Sequence, residues 1–115
     1  MAQFERHLQG GFDEFLDFLE QKLMNASATI SLEGTSDCTL GDARCAVQVY
    51  ERYSALGGNR VSLNVTLLGV GDALFLSAIS AGGSQAMLFK INTFGEGAFL
   101  DTLISAVTAW EGGQR

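Results

Sequence analysis

The sequence predicts a single α+β domain, one antiparallel meander sheet with two helices packed on one of its faces. Three observations carry that expectation. Apolar residues recur at helical spacing in two segments, one near each end of the chain. Between them, from Arg44 onward, the hydrophobic period drops to two, the signature of strands. The connections between most of these period-two segments are short and carry glycine, and short turns force antiparallel neighbours. The 115 residues leave room for one domain, 1–115, large enough to bury a core without metal or disulfide staples. Proline is absent, so the turns fall to the 14 glycines and to asparagine, aspartate and serine.

Residues 3–9 place Phe4 and Leu8 on one parity and His7 on the other, a short strand ending at Gly10-Gly11. From Phe12 the period changes. Phe12, Phe15, Leu16, Leu19 and Leu23 form the apolar stripe of an amphipathic helix, with Asp13 and Glu14 suited to the positive end of its dipole. Residues 27–32 alternate, with Ala28, Ile30 and Leu32 on one face, and 33–42 ("EGTSDCTLGD") read as a polar loop. A long strand is expected over 44–54, with Cys45, Val47 and Val49 inward and Arg44, Gln48, Tyr50 and Arg52 outward. After "ALGGN", the return strand 60–68 sets Val61, Leu63, Val65 and Leu67 against Arg60, Ser62, Asn64 and Thr66. "GVGD" makes a tight turn into 73–80, which is apolar on both parities, as is a last strand at 86–91. Thr93 and Glu96 have capping-box spacing, predicting a helix from about 94 to 110 with Phe99, Leu103, Ala106, Val107 and Trp110 buried. The predicted order is β-α-β-β-β-β-β-α, and it resembles a reduced helix-grip domain, a likeness of order that implies no function.

Composition narrows the function classes. A formal charge of −6 repels phosphate backbones and anionic lipid, so neither nucleic acid nor membrane is an expected partner. The N-terminal stretch lacks the apolar run of a signal peptide, so a cytoplasmic location with Cys38 and Cys45 reduced is expected. Two cysteines seven apart and one histidine do not make a zinc site, and no cofactor is expected.

The candidate sites are few. Gly82-Gly83-Ser84-Gln85-Ala86 is one methyl from the G-x-S-x-G elbow that presents a nucleophilic serine. The residues after it have strand composition and are too few for the helix an elbow requires. The single histidine, His7, precedes the serine. A hairpin turn is the expected reading. Cys45 on the core parity behaves as a small hydrophobe, and Cys38 sits in a polar loop near Asp37 and Asp42, whose charges dull a thiol, so neither is expected to be a catalytic thiol. Glu51 shares the parity of Cys45, Val47 and Val49, so either it is a buried carboxylate or the strand end escapes the core. Arg44, Gln48, Tyr50, Arg52, Arg60 and Asn64 share the outward parity of two paired strands. If Tyr53 faces Val61, their guanidiniums and phenol converge on a surface suited to a small anionic group, or form an ordinary wet sheet face.

"RCAVQVYERYS", "GGNRVSLNVTLLG", "SAISAGGSQAMLFKINTFGEGAFLD" and "GGFDEFLDFLE" resemble a small uncharacterised bacterial family, a domain of unknown function of Firmicutes type. The resemblance implies a single-domain bacterial protein and supplies no activity or catalytic residue. Two functions remain. One is a non-enzymatic binding or assembly module, a homodimer through the second apolar parity of the late strands, which would otherwise stand as an exposed patch. The other is a carrier of a small apolar ligand, with a cavity between the sheet and the helices.

Overall fold

Seven elements follow one another through the described residues, 1–54, 59–82 and 96–113, of the computed structural model. They are β1 (Ala2–Gln9), α1 (Phe12–Ala26), β2 (Ile30–Leu40), β3 (Ala43–Ser54), β4 (Asn59–Val70), β5 (Ala73–Gly82) and α2 (Glu96–Gly113). The strands form one open sheet in the order β1-β5-β4-β3-β2, with every neighbouring pair antiparallel. This is the α+β meander expected, with β1 laid beside β5 as one edge and β2 as the other. The expected sixth strand at 86–91, the Ser84 turn and the Thr93 cap lie outside the described residues.

Helix α1 buries Phe12, Phe15, Leu19 and Leu23, the i, i+3, i+7, i+11 stripe read from the sequence. Gly11 stands at its N-cap in extended conformation and accepts the first helical hydrogen bond, from Phe15 N–H at 3.0 Å. Before it, Gly10 has φ +138°, a region L side chains avoid, and a Cβ there would stand 2.8 Å from Trp110 Cζ2. Glycine therefore lets the chain turn from β1 into α1 and lets α2 close over the junction. The Trp110 indole donates to the Gln9 carbonyl at 3.2 Å and stacks edge-on against Phe15 at 5.2 Å. Arg6 of β1 pairs with Glu111 of α2 at 2.7 Å, tying the first strand to the last helix.

The core lies between the helices and one face of the sheet. Leu8, Ala46, Tyr50, Val61, Leu63, Val65, Leu67, Leu74, Leu76 and Ala78 point into it and meet Phe15, Leu19, Phe99, Leu103 and Val107 from above. Each fully buried Leu, Val or Phe contributes about 1.5–3 kcal/mol by leaving water. The parity of β4 is as expected, and in β5, whose two parities are both apolar, it is Leu74, Leu76, Ala78 and Ser80 that turn inward. That of β3 is reversed: Ala46, Gln48 and Tyr50 are buried, whereas Cys45, Val47 and Val49 lie on the far face.

The reversal comes from register. Tyr53 faces Arg60, not Val61, so Tyr50 faces Leu63 and Arg52 faces Val61. A slip of one residue moves every side chain of a strand to the other face. The reading of 33–42 as a loop is corrected too. These residues continue β2, paired with β3 as far as Leu40 opposite Ala43, with one irregularity between Leu32 and Gly34. Gly41, at φ +61°, fills the first central position of the two-residue turn, where primed hairpin turns require positive φ.

Lysine scanning of β3 tests this parity. Ala46→Lys places a charge in the core and is expected to unfold the domain, or nearly so. Tyr53→Lys, on the open parity of β3 where the side chain is 45% exposed, is expected to change stability by no more than about 1 kcal/mol, read from the denaturant midpoint.

Candidate functional site

The surface expected from Arg44, Gln48, Tyr50, Arg52, Arg60 and Asn64 is divided by the sheet. The first four point to the helix side, and Arg60, Asn64 and Glu51 to the open side. The three guanidiniums therefore do not gather on one face: Arg44 and Arg52 stand on the helix side and Arg60 on the other.

Each residue on the helix side has a structural setting. Gln48 and Tyr50 are buried, and the Tyr50 hydroxyl donates to Gln48 Oε1 at 2.6 Å while Gln48 Nε2 reaches Glu20 Oε1 at 3.4 Å. A tyrosine here supplies a large apolar body to the core, and the glutamine beside it satisfies the hydroxyl. Burial pushes the Tyr50 phenol well above its ordinary value of 10, and the Glu20 carboxylate adds to the rise. Arg44 sits over the Phe12 ring at 4.4 Å, donates twice to Asp37 at 3.0 and 3.3 Å, and donates to Asp13 at 2.8 Å. It thereby joins the β2–β3 hairpin to the first turn of α1. Its hydrogen bonds hold the Asp37 carboxyl below the usual carboxylate range. Arg52 lies opposite Ile30 and Val61 on the same side.

The open face is different in character. Opposed residues place His7, Phe75, Leu68, Cys45 and Cys38 in one row across all five strands. His7 is exposed on the edge strand, as expected, and its ring stands 4.9 Å from that of Phe75. The adjoining row toward the tight turns carries Ala73, Val70, Ala43 and Leu40, and the rows beyond add Val47, Val49 and Ile79. Leu68 is 43% exposed, Val70 50% and Leu40 79%. No described element covers this band. Its rim is polar. Gln3, Glu5 and Gln9 line the β1 edge, and at the far end Arg60 pairs with Glu51 at 2.9 Å and lies over the Tyr53 ring. Glu51 is thus a half-exposed, paired carboxylate rather than a core acid. The apolar side chains are thus concentrated in the two rows at the tight-turn end, and beyond them Ser36, Ser62, Asn64, Thr66 and Ser77 interleave with Val47, Val49 and Ile79. An apolar patch bordered by polar residues is how docking surfaces are built.

Sequence reasoning recognised the second apolar parity of β5 but missed the contribution of Cys45, Val47 and Val49 and the opposition of Cys38 and Cys45. A signal for the latter was present: Leu40-Gly41-Asp42-Ala43 and Val70-Gly71-Asp72-Ala73 share the G-D-A pattern, and both make two-residue hairpins. Among the described residues no three His, Cys, Asp or Glu side chains gather as a metal site. Nor is any described helix long and apolar enough to cross a membrane.

The family model described as a family of unknown function, DUF6054, matches residues 1–111, so the chain belongs to that family. No curated protein matches it. Among solved structures, the chain is similar to PA94, a protein of unknown function from Pseudomonas aeruginosa. The two are 13% identical with a TM-score of 0.43, over 97% of this chain and 80% of that one.

Two pH responses follow. Tyr50 keeps its proton in the folded chain above pH 10, where the unfolded chain releases it, so stability is full below pH 10 and declines above it. Tyr50→Phe is expected to flatten that alkaline decline in denaturant titrations, while costing about 1–3 kcal/mol at neutral pH because Gln48 loses its partner. The Asp37 contribution is present at and above the ordinary carboxylate range and is lost as pH falls below it. In Arg44→Met, the carboxyl titration of Asp37 followed by carbon NMR is expected to move upward.

Proposed function

We propose that the chain is a non-enzymatic, cytoplasmic binding and assembly module that docks a second copy of itself through the open face of the sheet. The observation carrying this reading is the apolar band in which Phe75, Leu68 and Cys45 stand abreast on three adjacent strands, flanked by Val70 and Val47. Exposed bands of this breadth mark interaction surfaces.

A second copy suits the band on two counts. Five strands spaced by about 4.8 Å, with about ten residues each rising roughly 3.3 Å, make an open face of ~800 Å² in all, with the band at its tight-turn end and polar rows beyond. A standard interface buries about 800 Å² on each partner. The chain also carries a formal charge of −6, so two copies repel at long range, yet the centre of the band is uncharged and Arg60 and Glu51 neutralise each other at its end. Twofold packing of sheet on sheet would then bury the same residues of both copies.

A carrier of a small apolar ligand is the second reading, and Ser80 favours it. Its hydroxyl is fully buried on the helix side with no hydrogen-bond partner among the described residues. Against it, the side chains that lie between the sheet and the helices, Phe15, Leu19, Leu63, Val65 and Leu103 among them, pack into one buried cluster.

Light scattering after size exclusion separates the two. The wild type is expected to run as a dimer and the Leu68→Asp/Phe75→Asp variant as a folded monomer. A concentration-independent wild-type monomer whose melting temperature rises with fatty or aromatic ligands would instead establish the carrier.

A further inference from the structure

The hairpin of β2 and β3 brings the two cysteines of the chain face to face. Cys38 and Cys45 are direct cross-strand partners, both are free thiols, and both belong to the open face, Cys38 exposed and Cys45 half-buried. We propose that they form a reversible cross-strand disulfide, a redox site driven by thiol–disulfide exchange with low-molecular-weight disulfides. The site stands on the hairpin register and goes beyond the assembly reading without depending on it.

Geometry permits the bond and makes it labile. The two-residue turn at Gly41-Asp42 makes Leu40 and Ala43 a hydrogen-bonded pair, and the alternation of an antiparallel ladder makes Cys38 and Cys45 another. Such a pair has a Cα separation of about 5.5 Å, inside the range of roughly 4.4–6.8 Å that disulfides span. The Cβ atoms of opposed residues stand about 4.5–5.5 Å apart, whereas a disulfide holds them at about 3.5–4.5 Å. The strands must therefore draw together by about 1 Å at this point. Because β2 is an edge strand with no described strand on its outer side, it can make that movement. A bond formed under such tension is readily reduced, which suits a switch better than a permanent staple.

Exposure assigns the order of events. Cys38, the accessible thiol, attacks one sulfur of oxidised glutathione as its thiolate, giving a mixed disulfide and releasing one glutathione thiolate. Cys45 then attacks the Cys38 sulfur and releases the second. One protein disulfide and two reduced glutathiones result, the two protons of the protein thiols ending on the two glutathiones. The new bond lies at the β2 end of the row that holds Leu68 and Phe75, so it changes the shape of the open face where a partner would meet it.

The test treats reduced full-length chain with oxidised glutathione, alkylates what remains and maps the products by mass spectrometry. The wild type is expected to lose both free thiols and two hydrogens, with the peptides bearing Cys38 and Cys45 joined within one chain and separated again by reduced glutathione. Cys45→Ser is expected to stop at a stable glutathione adduct on Cys38. Cys38→Ser should acquire its adduct about tenfold more slowly, since Cys45 is less accessible. The proposal is overturned if the wild type carries two glutathiones or links Cys38 to a second chain. It is equally overturned if the wild type keeps both thiols under conditions that modify Cys45→Ser. A monomeric chain that closes the internal bond supports the site and removes the assembly reading alone.

Discussion

The placing of Tyr50 opposite Leu63 governs the rest of the molecule. Side chains alternate along a strand, so one pairing decides which half of β3 enters the core and which half faces away. With Tyr50 inward, Gln48 must enter as well, and the cost of burying its amide is offset only because the Tyr50 hydroxyl and the Glu20 carboxylate meet it. The same pairing expels Cys45, Val47 and Val49. Three apolar side chains are then added to Phe75, Leu68 and Ile79 on the open face, and a wet sheet surface becomes an apolar band.

The helix side is closed by contacts between distant parts of the chain. Trp110 lies against Phe15 and Phe18 and reaches the carbonyl of Gln9 across the space that Gly10 leaves free. Arg6 and Glu111 add an ion pair at a partly exposed position, where such pairs contribute at most about 1 kcal/mol. Packing therefore does most of the holding and the charges set direction. Toward the β2 edge of the sheet Arg44 has a comparable part: stacked on Phe12 and bonded to Asp13 and Asp37, it ties the β2–β3 hairpin to the first turn of α1.

Both proposals for function arise from the open face because the helix side has so little chemistry left to offer. Among the described residues its buried polar side chains are engaged with one another, Ser80 excepted, whereas the open face combines apolar area, polar borders and two opposed thiols. Assembly through the band and a disulfide at its edge would place a redox-sensitive element within an interaction surface.

Local pattern determined a great deal. The stripe Phe12, Phe15, Leu19, Leu23 specifies α1, the alternation Val61 to Leu67 specifies β4 and its inward face, and the glycine-bearing turns specify antiparallel order. These signals need only neighbours in sequence. The inward face of β3 was not legible that way. Both of its parities carry residues that fit a core, valines on one and a tyrosine on the other, and only the pairing with β4 chooses between them. That pairing also scattered the expected cluster of arginines onto two faces and showed the polar run "EGTSDCTL" to be an edge strand, since backbone hydrogen bonds to β3 hold it regardless of its composition. Periods and turns were decided by the chain itself; which residues stand beside one another across strands was decided by register, a property that exists only once the sheet has formed.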